Sequence, residues 1–198
     1  MTGITVGFAM CGSFCTFSKA FAQMEQLKNI GYHIVPIMSF NAYSTDTAFG
    51  KAEDYIKKAE EICQRKVIHT IKDAEPIGPK GMTDIMLVSP CTGNTAAKLA
   101  GAVTDTPVTM AVKSHLRQSK PVLLCIATND ALGASAQNIG KLMNTRHYYF
   151  VPFSQDNPLK KPNSLVADFA MIPEALEYAL KEQQIQPVIG SSAPAPAV

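Results

Sequence analysis

Four clusters of small polar residues follow short apolar runs: Gly12-Ser13, Ser39-Phe40-Asn41, Ser89 to Thr95 and Ala127 to Asp130. Hydroxyls, carboxamides and backbone N–H groups of this kind hold an anion without carrying charge themselves. The richest cluster, Ser89-Pro90-Cys91-Thr92-Gly93-Asn94-Thr95, lies where the apolar run Asp84 to Val88 gives way to apolar residues at helical spacing. A strand therefore feeds directly into a helix, whose first turn offers free N–H groups and a favourable dipole. Taken singly, each cluster has a plainer reading, because Thr92 or Asn94 can cap a helix and any first βα turn favours Gly and Ser. Capping does not require all four to stand at strand ends. Their coincidence there favours a phosphorylated cofactor.

The elements that must position these clusters follow from the same periodicities. Ile4 to Met10, His33 to Met38, Val67 to Ile71, Asp84 to Val88, Pro121 to Ala127 and Tyr148 to Phe153 read as strands. Helical patterns run from Phe17 to Ile30, from about Thr47 to Arg65 and from Thr95 onward. Another helix is expected to start at Asn129 or Asp130 as N-cap, and a last one from Glu174 to Gln184 behind Pro173. Lys113 to Lys120 reads as a basic helix end. Gln155 to Pro162 reads as a surface loop or a lid. Most strands are apolar throughout, which argues burial on both faces. The expected fold is α/β: a single Rossmann-like, flavodoxin-like doubly wound parallel sheet with helices on both faces. One domain over 1–186 is followed by a Ser/Ala/Pro tail, 187–198, too poor in apolar residues to fold.

With 198 residues, 46% hydrophobic and 17% charged, the chain can bury one sizeable core. A net charge of +2 with scattered basic residues argues against nucleic-acid binding. The five cysteines sit mostly in apolar settings and none has zinc spacing, so reduced thiols and no metal are expected. The apolar start lacks a basic segment and a cleavage site, so a cytoplasmic protein is expected, away from membranes.

Ser89-Pro90-Cys91-Thr92-Gly93-Asn94-Thr95-Ala96-Ala97-Lys98-Leu99-Ala100 resembles the Pro-Ala-Ser-Ala-Asn-Thr signature of the flavoprotein family that includes flavin-dependent cysteine decarboxylases and flavin prenyltransferases. The Gly-Ser after the first strand fits as well. Glu75 to Lys80, Thr104 to Val108 and Ala127 to Asp130 are similar to one branch of it, the B subunit of a two-component synthase of pyridine-2,6-dicarboxylate. The resemblance implies FMN, with Gly12, Ser13, Ser39, Ser89, Thr92, Asn94 and Thr95 on its phosphate and ribityl chain. Pro90 and Cys91 stand within the same motif. The backbone from Ala127 through Thr128 to Asn129 would face the flavin ring. Decarboxylases of the family carry a catalytic His at a position matched here by about Pro76, and His69 lies seven residues too early. Their Pro-x-Met-Asn clamp is reduced to Ile126-Ala127-Thr128-Asn129.

The function so implied is oxidation of a dihydro or hydroxy-tetrahydro dipicolinate precursor, with an NAD(P)-binding A subunit, in the mother cell of a sporulating bacterium. Two alternatives stand beside it: a stand-alone FMN-dependent decarboxylase or prenyltransferase, and a non-catalytic partner with the same fold. A substrate with two carboxylates needs cations, and Lys113, His115 and Arg117 are the nearest by sequence. A homo-oligomer built on trimers is expected to close the site, through Gly101 to Pro107 and Val108 to Val112.

Overall fold

The computed structural model describes residues 3–190. Five parallel strands form the main sheet: β1 (Thr5–Met10), β2 (His33–Met38), β3 (Ile85–Cys91), β4 (Val122–Thr128) and β5 (Tyr148–Phe150). Their spatial order is β2-β1-β3-β4-β5, so the winding reverses between β1 and β3. In an open α/β sheet that reversal opens a crevice beyond the carboxyl ends of the strands.

The sheet is mixed rather than wholly parallel. The hairpin of β6 (Phe153–Ser154) and β7 (Leu165–Ala167) lies antiparallel along the second half of β4, while β5 pairs with its first half. The run from Tyr148 to Phe153, expected as one strand, is broken because Pro152 has no N–H to pair. The run Val67 to Ile71 is not a strand either. Ile68 alone bonds β2, accepting from the Met38 N–H and donating to the Pro36 carbonyl, both at 2.9 Å. Thr70 then caps a short helix, its side chain accepting from the Asp73 N–H.

The helices are α1 (Phe17–Ile30), α2 (Phe40–Ser44), α3 (Ala52–Cys63), α4 (Ile71–Ala74), α5 (Gly93–Ala100), α6 (Pro107–Leu116), α7 (Ala136–Met143) and α8 (Ile172–Leu180). α1 packs with α3 and α8, and α6 with α4 and α5, so both faces of the sheet are covered. Phe8, Leu87, Val88, Leu123 and Leu124 are fully buried between these layers. Burial of each such side chain contributes about 1.5–3 kcal/mol.

Three helix limits differ from expectation for local reasons. α3 starts at Ala52 because Thr47 and Gly50 close a tight turn before it, their backbones paired at 3.0 and 3.2 Å. α7 starts at Ala136 because Asp130 accepts from the hydroxyls of Thr128 and Ser135 and so folds a turn instead of a cap. α8 ends at Leu180, before Glu182 takes a left-handed φ of 56°. The first residues assigned to a flexible tail are tied down: Phe153 donates to the Val188 carbonyl and accepts from the Gly190 N–H, each at 3.0 Å. Residues 191–198 of that tail lie outside the described residues.

Candidate functional site

Two adjoining cavities, of about 790 and 470 Å³, open at the carboxyl edge of the sheet and share Gly12, Thr92 and Asn94. Both fall in the size range of small-molecule sites. α5 builds their common wall. Thr92 is its N-cap, accepting from the Thr95 N–H at 3.3 Å and donating to the Thr95 hydroxyl at 3.1 Å. The first-turn N–H groups of α5 thus stand beside the cavities. Gly93 makes a close approach: a Cβ there would come within 2.8 Å of Asp130 Oδ1 and Thr128 Oγ1, and nearer still to Ser135 Oγ, so these side chains would have to shift. A glycine here leaves the hydrogen-bonded side chains of Thr128, Asp130 and Ser135 in place where α5 starts beside the end of β4.

The smaller cavity lies beyond β1, β2 and β3 and is lined by Ser39, Asn41, Thr95 and Thr106 among others. The Ser39 hydroxyl accepts from the Ala42 N–H at 3.2 Å, which leaves its own proton free for a ligand. Lys98 is the cation here, held by Asp105 through two contacts at 2.7 and 2.8 Å. Thr106 opens α6 with a reciprocal capping box to Thr109. The donors facing this cavity are therefore almost all neutral.

The larger cavity runs from Gly12 to Lys19 on one side and Ala127 to Asp130 on another, with the β6–β7 loop contributing Asp156, Lys161 and Ser164. Hydrogen bonds from Thr128 and Ser135 outweigh burial and hold the Asp130 carboxyl below its usual range, so it stays ionised. Three buried thiols near this edge, Cys11, Cys91 and Cys125, are held protonated. Burial pushes Cys11 up to about 11 and Cys125 up to about 12, and raises Cys91 well above a free thiol. None of these three is a ready nucleophile, whereas Cys15 is exposed on the larger cavity.

Of the residues singled out by sequence, Gly12, Ser13, Ser39, Thr92, Asn94, Thr95, Ala127, Thr128 and Asn129 line one cavity or both. Ser89, Pro90 and Cys91 do not. They form the fully buried end of β3, and Ser89 Oγ is buried without a hydrogen-bond partner among the described residues. The reason is that β3 runs on as far as Cys91, with a register shift after Val88 where Pro90 cannot donate to the ladder. His69 stacks on Tyr43, ring centroids 3.8 Å apart, and lines neither cavity.

The candidate substrate cations Lys113, His115 and Arg117 follow the other reading, that of a basic helix end. They lie at the far end of α6, near the amino ends of the strands. His115 is buried, with Nδ1 facing Thr83 Oγ1 at 2.8 Å and Nε2 facing the Pro121 carbonyl at 3.0 Å. Burial, followed by smaller opposing influences, lowers its pKa to about 4, so it is neutral. The cations that reach the cavities are Lys19, Lys98 and Lys161. Nothing in the local sequence marks Lys19 or Lys161, because their position depends on the α1 and β6–β7 packing. The expected contact between copies is partly internal: Val108, Ala111 and Val112 are buried within the chain, whereas Val103 is exposed.

The chain is 45% identical over 189 residues to the B subunit of dipicolinate synthase from Bacillus subtilis, covering 96% of this chain and 94% of that protein. The crystal structure of the B subunit of dipicolinate synthase from Bacillus halodurans superposes with a TM-score of 0.89 at 44% identity, covering 97% and 98% of the two chains. Burkholderia xenovorans DmrB, solved in complex with FMN and described as a cubic protein cage for redox transfer, shares the fold at a TM-score of 0.67 and 17% identity, over 90% and 96%. The Flavoprotein family model matches residues 1–172. With that match, and with its polar cavities at the reversal of the strand order, the chain belongs to the Flavoprotein family.

Proposed function

We propose that this chain is the flavin-binding B subunit of a dipicolinate synthase, working with the NAD(P)-binding A subunit of that synthase to oxidise a dihydro or hydroxy-tetrahydro dipicolinate precursor to pyridine-2,6-dicarboxylate. The observation that carries the reading is the near full-length likeness to the B subunits of two dipicolinate synthases, joined to a hydroxyl-rich cavity at the switch point. The donor set fits a phosphorylated cofactor. Ser39, Thr92, Asn94 and Thr95, with the first turn of α5, would hold the phosphate and ribityl chain of FMN. Ser13 and the edge from Ala127 through Thr128 to Asn129 would border the ring. A bound flavin supplies a two-electron acceptor for removal of hydride from a ring carbon.

The protein's own residues orient and enclose. Ala127 to Asp130 form one wall of the larger cavity, and the thiols of Cys11, Cys91 and Cys125 are buried. A homo-oligomer would complete the enclosure. Phe40, Phe49, Val103 and Leu159 are exposed, the first two on the cavities themselves, and a structural relative is described as dodecameric. No helix among the described residues is long and apolar enough to cross a membrane.

Purified protein should show flavin absorbance at about one FMN per chain and a mass above that of the monomer. Mixed with the A subunit in the presence of the precursor, it should form pyridine-2,6-dicarboxylate with NAD(P) reduction, and neither component by itself should match the pair. Colourless protein that takes up no FMN, or full activity of the isolated A subunit, would refute the proposal.

A further inference from the structure

The two cavities differ in how their cations are used. Lys98 in the smaller one is neutralised by Asp105 through two short contacts. In the larger one, Lys19 of α1 makes no ion pair among the described residues, and Lys161 reaches only Asp156, at 3.3 Å. Asp130, the other carboxylate of that wall, is engaged by the hydroxyls of Thr128 and Ser135. The larger cavity therefore holds one uncommitted cation and one held by a single exposed partner, a weak type of pair. At its rim stands Phe49, 63% exposed although it lines the cavity. The turn beneath it is rigid: Thr47 and Gly50 pair across it, and Tyr55 fills the space beside Gly50, whose φ is +153°.

We infer that Lys19 and Lys161 are the carboxylate-recognising residues of the larger cavity, and that the ligand they select is a small planar dicarboxylate, one lysine meeting each carboxylate. The inference deepens the function proposed above and rests on it for the identity of the ligand. Asp156 acts as a built-in competitor, occupying Lys161 until a ligand carboxylate displaces it. Phe49 offers an aromatic face to the ligand ring.

The test is calorimetric titration of the purified protein, as isolated, with pyridine-2,6-dicarboxylate and with pyridine-2-carboxylate, flavin content being measured by absorbance in parallel. The dicarboxylate should bind roughly tenfold tighter than the monocarboxylate, and Lys19→Gln should remove about that factor with flavin content unchanged. Asp156→Asn should tighten dicarboxylate binding by roughly threefold, a gain that damage to the fold does not produce. Unchanged dicarboxylate affinity in Lys19→Gln overturns the inference. So does loss of flavin in its place, which would make Lys19 a cofactor contact. Lys19-dependent dicarboxylate binding by a protein that takes up no FMN would uphold the lysines and refute the flavin reading alone.

Discussion

The two edges of the sheet use the same residue types to opposite ends. At the amino edge, Asp84 accepts from the Thr5 N–H at 2.9 Å and from Lys120 at 3.1 Å, and Lys120 also donates to the Thr83 carbonyl at 2.7 Å. Thr83 meets His115, and Ser114 accepts from the Gly78 N–H at 2.8 Å while donating to the Glu75 carbonyl. Each of these side chains has found a partner. At the carboxyl edge, Asn94 and Asn129 face open cavities with their side-chain donors unspent among the described residues, and Ser13 has only a long 4.0 Å contact with Cys15 Sγ. A satisfied polar cluster fixes structure, whereas an unsatisfied one facing an open cavity is available to a ligand.

The sharpest way to break this contrast is at the amino edge. A Cβ on Gly78 would lie 1.9 Å from the Ser114 backbone carbonyl, so Gly78→Ala must displace α6 or the turn before β3. The expected loss is about 3 kcal/mol or more, read as a lower midpoint of denaturant unfolding. A midpoint within error of the parent would show that this edge is not the rigid one.

His115 gives the next test. Its folded pKa of about 4 lies below the 6.5 of a free histidine, so between those values the unfolded chain binds the extra proton. Stability should therefore be complete above about pH 6.5 and fall as the pH drops toward 4, by up to about 3 kcal/mol. The carboxyls of Asp84 and Asp130 are held low, so their contribution is lost only at still lower pH. In His115→Gln the one-proton slope across this window should vanish even though the variant is less stable overall. A slope that persists would assign the proton elsewhere.

The smallest effect on stability, and the most specific one on binding, belongs to the carboxyl edge. Asn94→Asp places a carboxylate beside the expected phosphate and should weaken FMN retention by roughly ten- to hundredfold, equivalent to about 1–3 kcal/mol. The unfolding midpoint of the flavin-free protein should move little, since Asn94 is exposed and makes no side-chain hydrogen bond among the described residues. Equal flavin retention by parent and variant would move the phosphate away from α5.

The periodic elements and the polar strand ends were legible in the residues alone. α1 comprises the residues its periodicity marks, and Gly12, Thr92, Asn94 and the Ala127 to Asn129 segment reach the cavities, because a βα turn is a local structure in which residue type and position travel together. What depends on distant packing was legible only in three dimensions. β3 continued through Ser89 to Cys91 and buried them, since Cys91 pairs with Ile126 of β4 and the Pro90 carbonyl accepts from the Cys11 N–H beyond the local turn signal. Val67 to Ile71 lost its strand because a single residue found a partner on β2. His115, Lys113 and Arg117 went to the opposite edge, since a helix of ten residues is about 15 Å long and its two ends cannot serve one site. Lys19 and Lys161, 142 positions apart, were brought to one cavity by α1 and by a hairpin added antiparallel to β4. Side-chain charge can be read one residue at a time, but its neighbours are set by the sheet order.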